Sequence, residues 1–196
     1  MSGMRLLDRH VALFSGSLRT LLRRESDRRR CADSPYAWLF QPYMGEELVA
    51  LACTSTPTPT SPVISLAAVV LSQQQVRTSR AFVLTLGAQG QASNASLRRH
   101  HLLCQAGEVA APNRDNLNAL LRKRLDFALP NAQVDVEKLH QRQLRRLHPE
   151  IEAPSSFAQA LACWQVPAMG MQGVLGEATS SALLYMRLQR IMAEAA

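Results

Sequence analysis

Residues 47–71 read "ELVALACTSTPTPTSPVISLAAVVL", and this stretch limits the fold more than any other part of the chain. The runs "LVALAC" and "VISLAAVVL" are rich in small, β-branched and aliphatic residues, as strands buried on both faces are. Each is well short of the roughly 20 apolar residues that a membrane helix needs. The linking "TSTPTPTSP" carries three prolines in nine residues, which remove backbone donors and fix φ, so it reads as the loop between two strands. A third apolar run, "RAFVLTL", follows the polar turn "SQQQVRTS". Connections this short predict a three-stranded antiparallel meander.

The meander sits between segments of helical pattern. Ahead of it, Leu7, Val11, Phe14, Leu18, Leu21 and Leu22 recur at helical spacing, predicting an amphipathic helix over 4–24. "ESDRRRCADSP" breaks that pattern, and "YAWLFQPYMG" reads as an aromatic connector. Behind it, "NASLRRHHLLCQAG" predicts a short helix or turn ending at Gly107, and "RDNLNALLRKRLDF" a helix that stops before Pro130. "AQVDVEKLHQRQLRRLHPE" reads as a further helix, "SSFAQALACW" as one with a serine N-cap, and "GEATSSALLYMRLQRIMAEA" as a long last helix with Ala182, Tyr185 and Leu188 or Gln189 marking its faces. Strands followed by helices predict an α/β or α+β domain over 47–196, with residues 1–46 as a helical N-terminal extension.

Composition narrows the function. The chain has 196 residues, 47% of them hydrophobic, enough for one domain with a real core. Its net charge of +7 gathers in "LRTLLRRESDRRR", "SLRRHH", "LLRKRL" and "HQRQLRRLHPE". Such a balance suits nucleic acid or an acidic protein partner and does not separate them. Solvated helix faces would look the same. Cys31, Cys53, Cys104 and Cys163 lie far apart, with neither zinc spacing nor a disulfide framework, and read as small buried hydrophobes in a reducing compartment. The arginine-rich N-terminus lacks the apolar core of a secretory signal, so a cytoplasmic location is expected.

The acids decide more. None of the 15 Asp and Glu residues lies between Leu48 and Gly107. Hard divalent metals need carboxylate oxygens, and the meander has none to give. No phosphate-cradling glycine motif and no G-x-S-x-G elbow appears. His100 and His101 are adjacent, so on a helix they point about 100° apart and suit a helix end better than one metal. Ser96 makes no recognisable triad with them. His140 and His148 lie in a basic helix and are expected at the surface. No cofactor is implied.

The order of these pieces resembles the DnaQ-like 3′–5′ exonucleases of the DEDD superfamily. "VISLAAV" is similar to the family's second strand, "SNASLRRHHLL" to the segment after its third, and "LPNAQVDVEKLHQRQLRRLHPE" to its L-P-N-x-x-I-D segment. "SSFAQALACWQVPAMGMQGVLGEATSSALLYMRLQRI" is similar to the end of the domain, and the likeness runs from about 47 to 193. The resemblance implies an RNase H-like α/β fold whose four carboxylates hold two metal ions.

On this chain those positions are almost empty of acid. The D-x-E pair falls on Ala52 and Thr54, or on Ala50 and Ala52 in a register shifted by two, and the motif's glycine falls on Pro57 or Ser55. The second-motif aspartate falls approximately on Asn116, with Asp115 beside it facing another way. The segment ahead of it looks too short for the family's next helix and strand, so a strand of the sheet is expected to be missing. The final H-x-x-x-x-D falls on Gln172 and Glu177, where only Glu177 keeps a carboxylate. As an acid in a first helical turn, Glu177 also suits the helix dipole. Asp135 matches a position outside the metal shell and is expected to cap.

The resemblance therefore implies a catalytically inactive domain that serves as an interaction or regulatory subunit, binding a protein partner or a second copy through Tyr36, Trp38, Leu39 and Phe40. An alternative is a nucleic-acid module without catalysis, using Arg98, Arg99, His100, His101, Arg122, Lys123 and Arg124, since lost acids leave a groove more positive. Few aromatics are present for base stacking. A third reading is a nuclease with a non-standard site built on Glu177, Asp115 and Asp135.

Overall fold

The computed structural model describes residues 18–34, 37–40, 48–56, 63–72, 75–86, 108–111, 114–125, 132–152, 154, 156–168 and 173–194. The chain runs α1 (Leu18–Arg30), a 3₁₀ turn (Ala37–Phe40), β1 (Leu48–Thr56), β2 (Val63–Ser72), β3 (Gln75–Leu86) and β4 (Glu108–Ala111). It continues as α2 (Arg114–Leu125), β5 (Ala132–Asp135), α3 (Val136–Leu147), α4 (Phe157–Cys163) and α5 (Val174–Glu194). Among the described residues no helix is long and apolar enough to cross a membrane.

The fold is α/β, and the expected meander is present: β1–β2 and β2–β3 are antiparallel. Two further strands correct the three-strand expectation. β4 lies parallel to β1 and β5 parallel to β4, giving one five-stranded sheet of order β3-β2-β1-β4-β5. The strand ahead of Asp115 is therefore not missing. β1 runs to Thr56, three residues into the stretch read as loop, and β3 starts at Gln75, so most of "SQQQVRTS" is strand.

Strand β1 is buried on both faces, which is why its sequence reads as a continuous apolar run. Leu48, Ala50 and Ala52 pair across to Leu71, Val69 and Ala67. This face packs on α5 through Val174, Ala178, Ala182, Leu184, Tyr185 and Leu188. Alanines at 50, 52 and 67 leave room for the helix axis to come close. The opposite face carries Val49, Leu51, Cys53, Leu66, Ala68 and Val70, all buried. β3, by contrast, is an edge. Its register slips against β2, where the single residue between Val70 and Ala68 is matched by the four between Arg77 and Phe82.

Asp135 ends β5 and starts α3 as its N-cap, its carboxylate accepting from the Lys138 amide at 2.9 Å. The capping role expected for it holds. The following buried positions, Val136, His140, Gln143 and Leu144, form one helical face. His140 is thus 1% exposed rather than a surface residue, and burial pushes its imidazole pKa down. His148 is exposed. Ser156 caps α4 and accepts from the Gln159 amide at 3.3 Å. That helix closes with Gln165 at φ 54° and the Val166 amide donating to Leu161 at 2.8 Å, a Schellman ending with Val166 and Leu161 both buried. Gly173 precedes α5 at φ 105°, a backbone conformation that favours glycine.

At the N-terminal side, α1 runs on to Arg30 through the segment expected to break it. Glu25 is the local reason, accepting from Arg28 at 2.7 Å and Arg29 at 2.8 Å. Those two guanidiniums hold the Glu25 carboxyl at about 2. Buried Asp27 holds Arg30 at 2.7 Å and reaches Arg122 of α2 at 3.3 Å, which ties α1 to the sheet domain.

Candidate functional site

The first turn of α5, which carries Glu177, crosses the carboxyl end of β1, where Ala52 and Thr54 lie. Ala52, 1% exposed, packs with Ala67 and Val69 against Val174 and Ala178. Thr54 follows on the same face by strand alternation and is exposed. Ala50, the alternative register, lies deeper in the core with Leu71 and Leu184.

Glu177 is the carboxylate that α5 brings to this point. It is half-buried, and desolvation pushes its pKa up. Its carboxylate forms no ion pair among the described residues. Cys53 lies on the far face of β1, close enough to feel Glu177. Burial chiefly, and then the charge of Glu177, push its thiol up to about 12. That thiol is protonated at neutral pH and is no nucleophile.

The other acids stand elsewhere. Asp115 and Asp135 are brought together, but by a cation: Lys138 Nζ lies 2.6 Å from Asp115 and 3.6 Å from Asp135. They belong to the end of β5, two strand spacings or about 10 Å from β1. Among the described residues no group of three His, Cys, Asp or Glu is placed to hold a metal ion. Asn116 is exposed on α2, and Gln172 lies outside the described residues.

The basic and aromatic positions are partly placed. Arg98, Arg99, His100, His101 and Tyr36 lie outside the described residues, as does Cys104. Arg122 is held by Asp27, while Lys123 and Arg124 continue α2. Trp38, Leu39 and Phe40 form the 3₁₀ turn, with Phe40 half-buried. Cys31 and Cys53 are buried as expected, whereas Cys163 is exposed at the end of α4. Sequence reasoning passed over the exposed Arg142 and Arg145 of α3 and Arg187 of α5 as site residues. None of the three has an ion pair among the described residues. Their spacing opposite Val136 and Leu144 was the available signal for the α3 pair.

No family model, curated protein or solved structure matches the chain.

Proposed function

We propose that the chain is an RNase H-like, exonuclease-type domain that no longer catalyses and acts as an interaction or regulatory subunit in the cytoplasm. The observation that carries this reading is the contact of Val174 and Ala178 with Ala52 at the end of β1. In a two-metal nuclease that place belongs to carboxylates and ions. Further support comes from the sheet, in which β2 alone runs against the other four strands and β1 is central. The last helix crossing β1 with Glu177 in its first turn agrees with the collinear resemblance. One half-buried carboxylate without a second acid beside it does not hold two Mg²⁺ ions.

Titration calorimetry with Mn²⁺, followed by a nuclease assay on single-stranded DNA in the same buffer, tests the reading. The expected result is no two-site binding and no cleavage. Metal-dependent cleavage abolished by Glu177→Ala would overturn it.

The exposed arginines of α3 favour a second reading, a nucleic-acid module without catalysis. It requires single-strand binding that weakens steeply with salt and with Arg142→Glu or Arg145→Glu.

A further inference from the structure

Toward its C-terminal end α5 helps to form an open groove of about 290 Å³. Leu147 and His148 from the end of α3, Ile151 beyond it, Trp164 capping α4, and Arg187 and Ile191 of α5 line it. Arg187 lies ten residues after Glu177, about 15 Å along the helix axis. The groove is therefore separate from the emptied site and does not rest on the exonuclease reading.

Three observations give the groove a ligand chemistry. Its surface is apolar where solvent reaches it: Ile151 is 46% exposed beside Leu147 and Ile191. Trp164 is only 7% exposed, and its Nε1–H finds no acceptor among the described residues. That nitrogen is itself closed to solvent, so the indole offers the groove carbon surface rather than its N–H. The charge at the rim is positive, because Arg187 is exposed without an ion pair among the described residues and no carboxylate lines the groove. Of the neighbouring acids, Glu194 is engaged by Arg190 at 2.8 Å, and Glu150 lies 3.4 Å from His148, an ion pair only where that imidazole is protonated.

We propose that this groove docks a short acidic segment of a partner protein. One large apolar side chain of the segment lies against Ile151, Trp164 and Ile191, and a neighbouring carboxylate pairs with Arg187. Tryptophan and arginine are the residue types that dominate binding at interface centres. A peptide suits the groove better than a small molecule does. The volume falls just below the roughly 300–1,000 Å³ of small-molecule sites, and few polar groups converge to orient a free ligand.

Cys163 reports on occupancy, since its exposed thiol stands on the groove wall while Cys31 and Cys53 are buried. The probes are two sets of short synthetic peptides, each with one central Leu, Phe or Trp, flanked by Asp and Glu in one set and by Lys in the other. Alkylation of Cys163 by iodoacetamide is followed by mapping the modified peptide in the full chain. Members of the acidic set are expected to slow alkylation several-fold at saturation, and the lysine set to leave it unchanged. Arg187→Glu, at an exposed position, is expected to weaken the acidic peptides by about tenfold. The proposal is overturned if no acidic peptide protects Cys163 at millimolar concentration, if the lysine set protects equally, or if Arg187→Glu leaves affinity unchanged. Protection by decanoate but by no peptide would also overturn it, in favour of a small amphiphile.

Discussion

Asp135 and Glu177 stand near the starts of two helices, one following edge strand β5 and the other crossing central β1, and they meet opposite surroundings. Asp135 has donors on hand, with the Lys138 amide at 2.9 Å and the Lys138 ammonium at 3.6 Å. Its carboxylate completes a helix end that would otherwise leave an amide unpaired. Glu177 has neither, and desolvation raises its pKa. A carboxylate near a helix start is thus a structural asset when it faces amides and a liability when burial leaves it without them. Two acids, one at an N-cap and one in a first turn, contribute with opposite sign.

The sharpest way to break this contrast is to load the emptied side further. Ala52→Asp puts a second carboxylate into the contact closed by Val174 and Ala178, and is expected to cost about 3 kcal/mol or more in a urea titration at neutral pH. If Mn²⁺ restores that loss, the site has kept its shape for metal and the packing seen here is merely its resting form. Removing the asset comes next. Asp135→Ala should lower stability by about 1–2 kcal/mol, through the lost cap and the released Lys138. A thermal midpoint unchanged by that substitution would show that the cap contributes nothing. The smallest effect is expected at the liability. Because the folded-state pKa of Glu177 is raised, the folded form holds its proton more tightly than the unfolded form, and the group opposes folding as pH rises through and above the carboxylate range. Glu177→Gln should therefore raise the thermal midpoint slightly at pH 7 and give no gain at a pH where both states are protonated. A gain equal at both pH values would point to packing rather than charge.

The parts of the fold legible in the sequence are those stabilised by their own pattern. β1 and β2 announce themselves because both faces are buried and prolines stand between them. β4 and β5 do not, since "EVAA" and "AQVD" are four residues each and owe their conformation to pairing with β1 and with one another. "AQVD" reads as the start of a helix because the apolar spacing of α3 runs straight through its cap. The polar half of β3 reads as a turn because an exposed edge does not require apolar residues. His140 looked like a surface residue among arginines, although its spacing from Val136 and Leu144 puts it on the buried face. Of the candidate site, the absence of carboxylates from β1 is legible in the sequence, and the pairing of Ala52 and Thr54 with Glu177 only through the resemblance. The groove was not visible at all, because its walls come from three stretches that meet only in space.

The slipped register of β3 has a consequence for the molecule in a crowded solution. A strand from another copy laid along this edge would keep its hydrogen bonds on one side of the slip and lose them on the other. It would also bring a second set of Arg77 and Arg80 side chains, both exposed, toward the first. Among the described residues the sheet ends at β3, and this edge resists the sheet-by-sheet growth that a long flat edge invites.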